Sequence, residues 1–444
     1  MNIIFSYGME AAYFRFAADK DSVRDKTIFS TPFLSLLTTS VVFSLIIISL
    51  RSWLGGLVNP YHTVSAGTID GIIALSASIL FFDALTILPF ASLRLQHKPV
   101  HFSVLRFINI FLQVVLNVLF VVGLRYGIMG IFLGNALASF ITFLCISPVV
   151  VQLFSFSFSK KVLMEFLSFG LPYVPSAIST IVLQVIDRPI MQHLTDDAHV
   201  GIYSANYRLG TIMMIFVSMF EYAWRPFFLQ YASQPDAKRV FSRVLTYFTL
   251  IGAVIFLLVS FFIGDIAHFD ILGRHTIIDH RYWGGLPIVP IVLAAYIFNG
   301  FYTNMIVGIY IEKRTKLLPL ITGAAALSNI IGNFILIPLM GIAGAAWATF
   351  ISYALMAYLI FRATQGFYPM TYEWDRIVKI GLIMLAAFCL SLVAQSYAEG
   401  MLLISYKILL LALVAGAFFA FKFFSKGEIA TLKTMFGGLS GDKK

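Results

Sequence analysis

Five ionisable side chains lie inside long apolar runs of this sequence: Asp83, Asp187, Arg188, Arg208 and Glu221, with Asp70 near an external end of the run that holds Asp83. Charged groups at membrane depth are expensive, so each is a candidate for ligand recognition, ion coupling or helix pairing. Amides and hydroxyls recur around them at helical spacing. Ser204, Tyr207, Arg208, Thr211, Ser218, Glu221, Tyr222 and Arg225 follow one another along a broad stripe, and Gln184 stands one turn before Arg188. Asn109, Gln113 and Asn117 form an i, i+4, i+8 row, and Asn329 and Asn333 form a shorter one. Together these rows read as the lining of a water-filled cavity. Arg188, Arg208, Gln184, Tyr207, Asn109, Gln113 and Asn117 would then contact a substrate, with Asp83, Asp187 and Glu221 serving coupling or helix pairing. The competing use is structural: an Asp187–Arg208 pair holding two helices, Glu221 paired with Arg225, and amides as interhelical glue worth about 0.6 kcal/mol each.

Motifs for catalysis are missing from the pattern. The sequence has no Gly-x4-Gly-Lys-Ser/Thr phosphate loop and no His-Glu-x-x-His metal motif. His97, His101, His268, His275 and His280 read as loop histidines in solvent. Cys145 and Cys389 each sit in an apolar run and read as small buried hydrophobes rather than a disulfide or thiolate cluster. No catalytic residue, metal or cofactor is expected. A polymerase or glycosyltransferase would need a large external loop. The one segment of that length, 265–285, with Asp265, Asp270, Arg274, Asp279 and Arg281, reads as a solvated connector.

The elements that must position these side chains are membrane helices. Of the 444 residues 59% are hydrophobic and 12% charged, half the charge of an average soluble domain. The apolar residues gather into runs of the length that crosses hydrocarbon. Twelve spans are predicted, at 32–50, 69–92, 105–123, 128–150, 166–190, 203–224, 241–264, 286–311, 317–339, 342–361, 377–396 and 402–421. If they alternate, 24 of the 31 lysines and arginines, Arg94 among them, are assigned to the loops and span ends of one side, five, Lys407 among them, to the other side, and two, Arg188 and Arg208, to the membrane interior. The net charge of +10 thus marks orientation rather than nucleic-acid binding. By the positive-inside rule the basic side, including the C-terminus, is cytoplasmic, and the protein is expected in the cell inner membrane. Prolines 89, 172, 175, 189, 226, 287, 290, 319 and 338 fall in or beside spans and predict kinks with freed carbonyls.

A repeat relates the two halves. Gly127-Ile-Met-Gly130 returns as Gly341-Ile-Ala-Gly344, an offset of 214 residues, and Glu10 to Arg15 resembles Glu221 to Arg225 at nearly the same offset. An even number of spans per repeat predicts two parallel lobes facing a central cavity. The fold class is therefore an all-α polytopic membrane protein of two pseudo-symmetric bundles around that cavity, plus two extra C-terminal helices. The expected organisation is an N-lobe over 1–150, a cytoplasmic linker over 151–165, a C-lobe over 166–362, two additional helices over 377–424 and a cytoplasmic tail over 425–444. Residues 166 to about 220 have no first-half partner, so residues 1–18 read as the remnant of a span whose beginning lies upstream.

Gly170-Leu-Pro-Tyr-Val-Pro175, Asp187-Arg188 and Gly201-Ile-Tyr-Ser-Ala-Asn-Tyr-Arg-Leu209, in that order, resemble the central signature of polysaccharide biosynthesis flippases. These form the Wzx-type branch of the multidrug/oligosaccharidyl-lipid/polysaccharide exporter superfamily. The resemblance extends diffusely over nearly the whole chain and departs from the pattern at the start, where members carry two further spans. It implies a transporter, not an enzyme. Its cargo would be an undecaprenyl-diphosphate-linked glycan, with membrane lipid around it, a polysaccharide polymerase as partner and a proton or sodium gradient, or product consumption, as driving force. A cation-coupled multidrug exporter of the same superfamily is the alternative, and it would want carboxylates in its cavity more than arginines.

Overall fold

The computed structural model describes residues 2–17, 26–58, 65–96, 98–271, 275–395, 397 and 400–420. The chain enters through α1 (Asn2–Ser6) and α2 (Met9–Ala17), which meet at Gly8 with φ +75°. The first half continues with α3 (Lys26–Ser49), α4 (Arg51–Val58), α5 (Ala66–Leu95), α6 (Pro99–Asn117) with a π-helical end over Val118–Gly123, and α7 (Gly127–Leu153). Next come α8 (Lys160–Gly170), α9 (Tyr173–Val185), α10 (Asp187–Leu194), α11 (Asp197–Tyr231) and α12 (Ala237–His268). The remainder is α13 (Ile288–Met305), α14 (Val307–Ile311), α15 (Leu318–Met340), α16 (Ile342–Gln365), α17 (Trp374–Gln395) and α18 (Gly400–Ala420). Two two-residue strands, β1 (Asp270–Ile271) and β2 (His275–Thr276), pair antiparallel after α12 and are the only strands among the described residues.

Among the described residues twelve helical stretches are long and apolar enough to cross a membrane, and they match the twelve predicted spans one for one. The chain is a multi-pass membrane protein. Of the linker expected over 151–165, only 154–159 lacks helix, because α7 runs on to Leu153 and α8 starts at Lys160, capped by Ser159. The tail over 425–444 lies outside the described residues.

Packing groups the chain into two compact units. One comprises Met1–Val182, Tyr222–Gln234 and Ile306–Ala326, the other Leu183–Glu221, Pro235–Met305 and Leu327–Lys444. In the first unit α5 packs on α3 and α7, and α6 on α7, with Phe90, Leu93, Leu105, Ile146 and Val149 as one buried cluster. Arg94, at the end of α5, donates to the Glu10 carboxylate at 3.0 Å and the Tyr222 carbonyl at 2.7 Å, with its guanidinium 4.6 Å from the Phe14 ring centroid. Arg15 donates to the carbonyls of Tyr310 and Ile311 at the end of α14, where helix carbonyls have acceptor capacity to spare. In the second unit α13 packs on α16, α12 on α13 and α17, and α17 on α18.

The repeat is visible in the backbone. Gly127 and Gly341 both adopt φ +57°, a conformation that glycine enters without steric penalty, and each turns the chain into the next helix. Three residues on, a glycine lets that helix approach the backbone of the preceding one. A Cβ on Gly130 would stand 3.0 Å from the Phe120 carbonyl carbon, and one on Gly344 only 2.1 Å from the Leu336 carbonyl oxygen.

Candidate functional site

The polar residues of the second unit converge where α9 gives way to α10. Pro189 has no N–H, so the carbonyl one turn before it loses its helical donor. The Arg188 N–H turns instead to its neighbour's carboxylate, Asp187 Oδ1, at 2.9 Å. That leaves the Gln184 carbonyl without its i+4 amide, and the Arg188 guanidinium takes the amide's place, donating Nη1 to it at 2.8 Å. The same Nη1 lies 3.0 Å from Asp187 Oδ1. Two charged side chains thus stitch a helix break inside the membrane span Lys160–Leu194.

Around this break tyrosines form a chain. Asp187 is fully buried and accepts a hydrogen bond from the Tyr203 hydroxyl on α11. One turn on, the Tyr207 ring lies 4.8 Å beneath the Arg188 guanidinium, and its hydroxyl lies 2.9 Å from that of Tyr296 on α13. Tyr296 packs against Tyr353 of α16 at 5.6 Å between centroids. The cation over the Tyr207 face adds roughly 0.5 to 2 kcal/mol. An ion pair this deep is stable because both members are hydrogen-bonded, and removal of either would strand the other in a poor dielectric.

Arg208 is different. It follows Tyr207 in sequence, so its side chain leaves α11 about 100° around the axis, and it is exposed. Its guanidinium has no ion-pair or hydrogen-bond partner among the described residues. The Asp187–Arg208 pairing that the sequence left open does not form, since Asp187 is taken by Arg188 and Tyr203.

The structure brings Gln184, Asp187, Arg188 and Tyr207 together and sets Arg208 beside them on α11. It does not bring the remaining sequence-predicted residues to this cluster. Glu221 is half-buried farther along α11. In the first unit Asp83 of α5 accepts from Ser139 of α7 at 2.8 Å. Asn109 donates to Thr142 of α7 at 2.8 Å, Gln113 to Asn109 at 3.4 Å and Asn117 to Asn135 of α7 at 3.4 Å, so the amide row ties α6 to α7. Sequence reasoning missed Tyr296 and Tyr353. Tyr353 carries a weak signal, since it stands 214 residues after Ser139 in the repeated segment. Tyr296 carries none.

Comparison with known proteins agrees with this architecture. The sequence profile described as polysaccharide biosynthesis protein matches residues 1–232. No curated protein sequence matches the chain. Among solved structures, an outward-facing multidrug resistance MATE family transporter of the MOP superfamily superposes with a TM-score of 0.69 at 14% identity, over 85% of each chain. A Vibrio cholerae MATE transporter gives 0.67 at 12% identity over 82% of this chain and 84% of its own. A MOP superfamily transporter from Pyrococcus furiosus, described as having a binding pocket of reverse polarity that suggests a different function, gives 0.65 at 13% identity over 86% of each. The fold is that of the MOP transporters, with pseudo-symmetric lobes.

Proposed function

Because the chain belongs to the polysaccharide biosynthesis protein family, we propose that it is a flippase for an undecaprenyl-diphosphate-linked oligosaccharide. By alternating access it would carry this repeat unit of an O-antigen, capsule or exopolysaccharide across the inner membrane, from the cytoplasmic to the periplasmic leaflet. Family and fold are those of a membrane transporter rather than an enzyme.

The observation that carries the proposal is the exposed, unpaired guanidinium of Arg208 beside the Asp187–Arg188–Tyr207 cluster. An arginine at membrane depth is unfavourable by roughly 2.5 to 3.5 kcal/mol on insertion scales, and no ion-pair or hydrogen-bond partner among the described residues offsets this. A diphosphate would. Its oxygens match the guanidinium fork, and it must be neutralised to pass the hydrocarbon. The Asp187 carboxylate is already occupied by Arg188 and Tyr203, so the three charges of the cluster leave an excess of one positive. A carrier of cationic drugs would need the opposite balance. Sugar hydroxyls would find hydrogen-bonding partners on Gln184 and on the half-buried Ser204 and Thr211. A proton or sodium gradient would drive the cycle, a polysaccharide polymerase would consume the product, and the C-terminus would be cytoplasmic.

The test is export in cells together with photocrosslinking to a polyprenyl-diphosphate glycan. Arg208→Gln is expected to reduce export and crosslinking about a hundredfold at normal abundance, the scale of losing one charge-paired contact of about 3 kcal/mol. Arg208→Lys should retain part of both, because lysine keeps the charge and loses the fork. Unchanged crosslinking in Arg208→Gln would remove Arg208 from the binding site and with it the argument for a diphosphate cargo, and efflux of cationic drugs by the purified protein in liposomes without glycan transfer would replace this reading with drug export.

A further inference from the structure

A second intramembrane ion pair stands apart from this cluster and joins the last helix, α18, to α12. Lys407 of α18 is 2% exposed and donates to Asp265 Oδ2, near the end of α12, at 2.6 Å. The pair does not satisfy itself. An ammonium has three donors and Lys407 uses one, while Asp265 Oδ1 accepts nothing among the described residues. Lys407 is buried while Asp265 is half-buried, and a buried ammonium with open donors is costly unless a ligand or water completes it. Both residues line a cleft of about 640 Å³, whose wall also holds His268, Gln395 and Gly264.

This cleft adjoins a second, of about 410 Å³, with which it shares Pro290, Ile291 and Phe388 as wall. The second cleft is almost wholly apolar. Phe256 of α12, Phe298 of α13, Phe350 of α16 and Gly381 of α17 are part of its wall. A largely apolar chamber whose wall carries one ion pair, with donors of Lys407 and one oxygen of Asp265 still open, thus adjoins an apolar channel. That is the shape of an amphiphile whose head carries both charges. A phosphate would accept from the free donors of Lys407, and a primary ammonium beside it would donate to Asp265 Oδ1. An anionic head lacking the amine would offer the carboxylate at most a neutral hydroxyl, and a choline head carries no N–H to give.

We propose that these adjoining clefts bind one phosphatidylethanolamine molecule of the surrounding bilayer, with phosphate on Lys407, ammonium on Asp265 and one acyl chain in the aromatic channel. The site does not depend on the identity of the transported cargo. It assigns α17 and α18 a lipid-binding role and explains why a lysine is buried in an otherwise apolar helix.

Two glycines allow a clean test. A Cβ on Gly264 in the first cleft, or on Gly381 in the channel, would meet nothing within 4 Å, so larger residues fill the space without a backbone clash. The full chain, stripped of lipid in detergent, would be titrated with dioleoyl-phosphatidylethanolamine, dioleoyl-phosphatidylglycerol or dioleoylglycerol. Native mass spectrometry would count bound lipid and thermal unfolding would report stabilisation. Phosphatidylethanolamine should bind one per chain and about tenfold more tightly than phosphatidylglycerol, what one charged hydrogen bond contributes. Gly264→Leu should erase that preference, and Gly381→Phe should weaken both phospholipids alike. Equal binding of the two phospholipids to the unaltered chain would overturn the proposal, which therefore does not rest on the variants folding. So would a preference that survives Gly264→Leu, and water alone would then complete the Lys407–Asp265 pair.

Discussion

In the first half of the chain the helix after Gly127 presents Ser139 to Asp83. In the second half the helix after Gly341 presents Tyr353, at the position 214 residues later, to Tyr296. The backbone device is shared, down to φ +57° at both turns. The side chains are not. The first half closes its contact locally with a carboxylate and a hydroxyl, whereas the second extends it through Tyr207 and Tyr203 to the Asp187–Arg188 break. Helix packing therefore accounts for the repeat, and the chemistry has diverged within it. A repeat supplies two similar scaffolds, and only one of them needs to carry the charged recognition element.

The largest expected difference between the halves follows from burial. Arg188→Gln strands a fully buried Asp187 and removes the donor to the Gln184 carbonyl, and should lower unfolding free energy by about 3 to 5 kcal/mol. Asp83→Asn retains a hydrogen bond from Ser139 to a half-buried side chain and should lower it by about 1 kcal/mol. Reversible unfolding by SDS in mixed micelles measures both. Equal losses would mean that the Asp187–Arg188 pair contributes no more than an ordinary hydrogen bond, and the asymmetry argued above would disappear.

The turn glycines give the next contrast. Gly344→Ala pushes a methyl to 2.1 Å from a backbone oxygen and must separate α15 from α16, at about 3 kcal/mol. Gly130→Ala meets its neighbour at 3.0 Å and should lose about 1 kcal/mol. The same titration orders the two variants. Tyr207→Phe removes only the hydroxyl contact with Tyr296 and should lose about 1 kcal/mol while keeping the ring under Arg188. A larger loss would make the tyrosine chain a cooperative network rather than a set of pairs.

The sequence already contained much of this, and what it lacked has a physical cause. All twelve spans were legible because apolar length is a property of local sequence, and the Gly127/Gly341 turns because glycine spacing is too. Pro189 beside Asp187-Arg188 announced a broken helix. The arginines did not reveal which of them is satisfied: Arg188 and Arg208 are alike in composition, and only the fold shows that one is bonded to its own helix while the other is free. Lys407 was counted among the loop and span-end charges, and Asp265 read as part of a solvated connector. They lie 142 residues apart, and no local pattern signals their pairing. Arg94 likewise looked like a basic loop residue, and its bond to Glu10 is a contact across 84 positions.

The smallest expected effect tests whether the amide rows of the two halves are equivalent. Both rows reach a threonine on the helix after the glycine turn. Asn109 donates to Thr142 at 2.8 Å, a full hydrogen bond between half-buried and buried partners. Asn329 points to Thr349 at 3.4 Å, and its own side-chain oxygen accepts from Asn333 at 3.0 Å. Double-mutant cycles to alanine separate pair energy from the general consequence of truncation. The Asn109–Thr142 coupling should be about 0.6 kcal/mol, typical of interhelical side-chain bonds in membranes, whereas Asn329–Thr349 should couple below about 0.3 kcal/mol. The single change Asn329→Ala should nevertheless lower stability more than Asn109→Ala, because Asn329 and Asn333 are completely buried and the Asn333 amide would be left with only the backbone carbonyl of residue 329. If instead the two couplings come out equal, the second-half row is the same interhelical bond as the first, and the divergence of the halves is confined to the tyrosine and arginine cluster.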